Sequence, residues 1–136
     1  MRQGPAGEQQ VHPPLECSSL VYRLARKRSD LNPDTNELSP AVFIRQEHYD
    51  DQGLSVVIED AVPLEQVCTS ERYARRCYGV ATLHVGRLRD HMLEVEPDDF
   101  DHANVTGVPY PSDEPQRAES LSRWLAKHAR TVWRRP

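Results

Sequence analysis

The residues of this chain that could do chemistry are polar side chains set on strand-like segments. Arg23 follows Tyr22 in an alternating stretch, and Arg45 closes a short apolar run. Ser55 lies inside a β-branched run that Glu59 flanks, His84 lies in the clearest strand-like segment, and His102 opens the last one. An arginine on a buried strand must be paired, and Glu59 or an acid of residues 94–101 is the expected partner. If Arg23, Arg45, Ser55 and His102 converge, two guanidinium forks and a hydroxyl suit an anionic ligand such as a phosphate or a dinucleotide. On that reading Arg23 and Arg45 clamp the phosphates of NAD, His102 or Ser55 orients the ribose, and Glu59 stabilises developing positive charge.

Other chemistries find little support in the spacing. The six glycines stand singly, with no Gly-x-x-x-x-Gly-Lys and no Gly-x-Gly-x-x-Gly to cradle a phosphate. No histidine pair has the His-Glu-x-x-His spacing. Asp30, Asn32, Asp34 and Asn36 alternate like the start of a calcium loop, but the sixth position is not Gly and the twelfth is Ala41. The run Asp98-Asp99-Phe100-Asp101-His102 reads as a solvated loop entering a strand, so no metal site is assigned. Ser55 has no Gly-x-Ser-x-Gly elbow around it. Cys17, Cys68 and Cys77 are odd in number and lack Cys-x-x-Cys spacing, which speaks against a disulfide framework or a zinc knuckle. They are read as free, mostly buried thiols in a reducing cytoplasm.

These side chains need elements to hold them. Residues 1–16 are polar and rich in Gly, Gln and Pro, and are expected to form a disordered leader, with one domain over 17–136. Residues 17–25 alternate as a strand, and a basic run and a turn-dense stretch over 29–36 follow. Residues 41–44 and 54–58 are expected strands, the second central. Pro63 opens a helix reaching about residue 75. Strands are expected at 78–85, 92–95 and 102–108, with one helical turn over 87–91. A long C-terminal helix, capped by Asp113 with Gln116 three residues on, aligns Leu121, Trp124, Leu125, His128, Ala129 and Val132 on one face. Together they predict an α+β domain: a mixed or largely antiparallel sheet of about five or six short strands, one short helix, and the long C-terminal helix packed on it.

Charge narrows the partners. The chain has 136 residues, 17 Lys+Arg against 21 Asp+Glu and a net charge of −4, so nucleic acid is not the expected partner. No run approaches about 18 apolar residues, and no apolar segment resembling a signal peptide opens the chain, so no membrane role is expected. The charge is blocky: residues 22–28 carry four positives and no acid, and residues 90–101 carry six acids and no Lys or Arg. Such blocks are solvated faces or docking surfaces, unless they pair with each other. The basic segments 26–28 and 130–135 would be the contacts in a weaker RNA reading.

The order Val-Tyr-Arg (21–23), Ala-x-Phe (41–43), Gly-Leu-Ser-Val (53–56), Tyr-Gly-Val-Ala (78–81) and His-Ala (102–103) resembles a group of small bacterial proteins with no assigned activity. The resemblance spans about residues 20–108 and brings no residue roles. The Tyr-Arg pair also resembles the first strand of bacterial NAD-consuming toxin domains of the ADP-ribosyltransferase type, including the RES group. That resemblance implies an arginine, here Arg23, on the dinucleotide phosphates. The Gly-Gly-Arg-Trp stretch of the RES group is missing, and Glu59 and Glu65 only hold the place of a catalytic glutamate. The leading expectation is a non-enzymatic protein-binding or accessory module of a bacterial cytoplasm, in a defence or toxin–antitoxin setting and without a cofactor. An NAD-consuming enzyme is the alternative.

Overall fold

The computed structural model describes residues 10–35, 37–74 and 76–136. Among them the chain runs through β1 (Leu20–Ala25), β2 (Leu54–Ile58), α1 (Leu64–Thr69), α2 (Glu71–Ala74), β3 (Gly79–His84) and α3 (Val85–Asp90). It continues through β4 (Glu94–Pro97), β5 (His102–Thr106), α4 (Pro115–His128) and β6 (Arg130–Arg134). The six strands form one sheet in the order β4-β5-β2-β1-β3-β6, and every neighbouring pair is antiparallel. No described helix is long and apolar enough to cross a membrane.

The alternation of the strands sorts their side chains onto two faces. Val21, Leu54, Val56, Ile58, Ala81, Leu83, Ala103 and Val105 enter the larger core with Phe43, Leu121 and Leu125. On the opposite face Tyr22, Leu24, Val57 and Val80 pack with Val62, Val67 and Cys77 in a smaller cluster. Helix α4 closes the larger face against residues 40–43.

Several elements differ from expectation. Residues 40–43 form a 3-10 turn, not a strand, with Pro40 at its first position and Val42 and Phe43 buried. Its two buried residues are adjacent, a short spacing that cannot reveal a period. The helix expected from Pro63 breaks at Ser70, whose extended backbone separates α1 from α2. The long C-terminal helix ends at His128. Ala129 is extended, and residues 130–134 form β6 against β3. Asp113 does not cap α4; Glu114 stands at that position without a side-chain cap and Pro115 opens the helix. Of the expected leader, residues 1–9 lie outside the described residues, while residues 10–16 lie on the domain. Leu15 belongs to the larger core, and His12 bonds Asp60 through its side chain and the Asp99 carbonyl through its amide.

Gly53 fixes the entry into β2. Its φ is +148°, and a Cβ there would fall 2.7 Å from the Val105 carbonyl oxygen on the neighbouring strand. Both the backbone conformation and the clash exclude a side chain. Gly53→Ala should therefore cost about 1–3 kcal/mol, read as a fall in the urea midpoint at unchanged slope.

Candidate binding cleft between two strands

The centre of the sheet is incomplete. β1 and β2 pair at Val21–Ile58 and Tyr22–Val57 and then part. Continuing that register would set Leu24 opposite Ser55. In an antiparallel ladder alternate residues point both backbone groups at the partner strand. Glu59 donates to the Leu20 carbonyl, so Leu20, Tyr22 and Leu24 are the residues of β1 that face β2. Ser55 faces β1 in return, but its groups meet side chains instead of Leu24. Its N–H donates to Asp50 Oδ1 at 2.9 Å, and its carbonyl accepts from Arg23 Nη1 at 2.9 Å.

Arg23 and Asp50 thus stand in for a missing rung. Nη1 and Nη2 of Arg23 reach the two carboxylate oxygens of Asp50 at 3.0 and 3.2 Å, and Nε donates to the Val42 carbonyl at 2.8 Å. The Gln46 amide also donates to Asp50, at 2.8 Å. The Asp50 side chain has 0% exposure and that of Arg23 12%. Burial alone would raise the Asp50 pKa; the Arg23 charge and bonds, with the amides of Gln46 and Ser55, outweigh it and hold the carboxyl below its usual value. The expected partners of a buried arginine, Glu59 and the acids of 94–101, are not the ones used.

Where the strands part, a cavity of about 560 Å³ opens, within the range of small-ligand sites. Leu24, Ile44, Val56 and Val57 give it apolar walls, and Arg23, Ser55 and His102 also line it. Most polar groups on it already have partners. Ser55 Oγ donates to the Tyr49 carbonyl at 3.0 Å. His102 Nδ1 lies 2.6 Å from Asp98, which Asn104 also bonds. Tyr73 donates to buried Asp101, which Arg72 also contacts. Burial first, and then that bond to Asp101, raise the Tyr73 pKa.

Arg26 and Lys27 are different. Both line the cavity, and among the described residues neither side chain has an ion pair or a hydrogen bond. The Arg26 pKa is lowered, by desolvation first, with Arg23 and Arg76 adding like charge. Asp30 is the acid beside them on the lining. The acidic block does not neutralise them: Glu94 pairs with Arg89, and Asp99 and Asp101 face Arg72. The two basic segments instead meet over one ring, with Arg28 at 5.2 Å and Arg135 at 5.3 Å from the centre of Tyr78.

Of the residues singled out from the sequence, Arg23, Ser55 and His102 do share the cavity. Arg45 is not on its lining. It donates to the carbonyls of Asp50, Asp51 and Val108 and stacks 3.9 Å over Tyr110, which closes the loop that presents Asp50. Glu59 is absent from the lining, and His84 is exposed at the end of β3. Trp133 is half-buried against the smaller cluster. Burial raises both thiols of that cluster, Cys68 to about 11, so they are protonated at neutral pH and poor nucleophiles. Sequence reasoning missed Asp50, Arg26 and Lys27 as cleft residues. For Asp50 the available signal was the need of Arg23 for a carboxylate, combined with a turn-rich segment able to fold over it.

Comparisons with protein families, with curated proteins and with solved structures find no match for this chain.

Proposed function

We propose that this domain is a non-enzymatic binding module of the cytoplasm and that the cleft between β1 and β2 is where it takes an acidic protein partner. The observation that carries the reading is the pair of cations at the cleft, Arg26 and Lys27, without ionic partners among the described residues beside a cavity of about 560 Å³. Buried ionic groups elsewhere in the cleft are matched, so its remaining charge is directed outward. The dinucleotide alternative gains less. Arg23 is given over to Asp50 and Arg45 to backbone carbonyls, and Glu59 is not on the lining.

Two measurements test this. Immobilised protein should retain a partner from a lysate, and Arg26→Glu/Lys27→Glu should lose it by about tenfold or more while Arg130→Glu keeps it. Equal retention by all three would overturn the site. Intracellular NAD should stay unchanged on induced expression; a fall would overturn the non-enzymatic reading.

A further inference from the structure

We infer that the cleft recognises its partner by strand addition: an extended acidic segment enters the cavity and pairs with the backbone of Leu24 in β1, whose rung to Ser55 is missing. The inference rests on the reading above and names its binding mode. Leu24 faces β2 by the alternation of the ladder, yet the rungs end at Tyr22–Val57. Ser55 cannot complete the rung, because Asp50 and Arg23 hold its amide and carbonyl. The gap is therefore a strand edge inside a sheet and not at its rim. An extended chain is the ligand whose amide and carbonyl repeat at the spacing such an edge requires.

Charge selects the segment. β1 runs on from Leu24 toward Arg26 and Lys27, which line the same cavity. A segment antiparallel to β1 that sets one residue opposite Leu24 sets the residue two places before it opposite Arg26. An acid at that place meets Arg26 and Lys27, which have no ionic partner among the described residues, and Arg28 and Arg135 over Tyr78 add positive charge. Apolar side chains at alternate positions meet the walls made by Tyr22, Val57 and Leu24.

The probe is a short fluorescein-labelled peptide with glutamate at the place opposite Arg26 and valine two places after it, opposite Leu24, with serine between them. Binding to the full chain should weaken about tenfold or more when lysine replaces glutamate. It should weaken similarly when the peptide backbone is N-methylated at alternate residues, which keeps the charge and removes the donors. Arg26→Glu/Lys27→Glu should reverse the charge preference, with the circular dichroism of the folded chain unchanged. Saturating peptide should slow hydrogen exchange at the Leu24 amide about tenfold and leave Tyr22, already paired, unchanged. Equal binding of the N-methylated peptide, or an unaltered Leu24 amide in the bound state, would overturn strand addition while leaving partner retention intact. Absence of any peptide binding, or salt-sensitive binding of single-stranded RNA in its stead, would overturn it as well. Equal retention of a lysate partner by the wild type and Arg26→Glu/Lys27→Glu, with the peptide results as expected, would strike the partner reading and not this mode.

Discussion

Replacing Asp50 with alanine is expected to destabilise the protein by about 3–5 kcal/mol, the cost of breaking a buried ion pair from one side. The loss has three parts in the structure. The Arg23 guanidinium is left charged and without its carboxylate, and the amides of Gln46 and Ser55 lose their acceptor. For a chain of this size the melting temperature should fall by about 10–20 °C. Arg23→Met added to Asp50→Ala should recover part of the loss, because it removes the orphaned charge but not the orphaned amides. Asp50→Asn isolates the charge. The folded carboxyl has a pKa below its unfolded value, so its contribution is complete above the unfolded value and disappears as pH falls through the folded one. Below about pH 4 the wild type should therefore lose stability more steeply than Asp50→Asn. Parallel slopes in acid denaturation would show that the carboxylate charge is not what Arg23 needs.

The second large effect is expected at Phe43. Its side chain has 0% exposure and lies in the core where α4 meets the turn over residues 40–43. Phe43→Ala removes that filling and leaves a void under the helix, at a cost of about 3–5 kcal/mol. The same turn supplies the Val42 carbonyl that accepts from Arg23 Nε. Collapse of the void should therefore disturb the cleft as well as the core. Phe43→Leu, which keeps most of the volume, should cost less than half as much in urea unfolding and leave peptide affinity unchanged. Equal costs for the two variants would mean that the core repacks around the loss.

Much of the architecture was legible where periodicity persists. Residues 54–58 and 78–85 read as strands because β-branched and other apolar residues recur in them, and both lie inside the sheet with a neighbour on each side. The body of α4 read correctly because Leu121 and Leu125 recur at helical spacing, while the expected Asp113 cap did not form. The end of that helix did not, since Val132 also fits the helical series. Thr131, Val132 and Trp133 satisfy a strand equally well, and tertiary pairing with β3 decides between them. The cleft was legible in part. Alternation sets Ser55 and His102 on the face of Val57 and Arg23 on the other, and it is the parting of β1 from β2 that lets all three line one cavity. Asp50 lies in a loop without period, and its identity as a partner follows from a chain reversal that no local pattern encodes. Arg45 illustrates the same limit. Its residue type suggested phosphate, while the loop it closes offered three carbonyls closer at hand.

The order of the strands gives the missing rung a mechanical meaning. β4, β5 and β2 form one panel of the sheet, and β1, β3 and β6 form the other. Within each panel the ladders are longer, with one register shift between β3 and β6, whereas β1 and β2 pair over only a few rungs before the Arg23–Asp50 pair takes over. Sheets ordinarily fray from their rims inward. Here the line with the fewest rungs lies in the middle, where the larger core runs unbroken beneath both panels and the buried pair of Arg23 and Asp50 fastens the loop before β2 to β1.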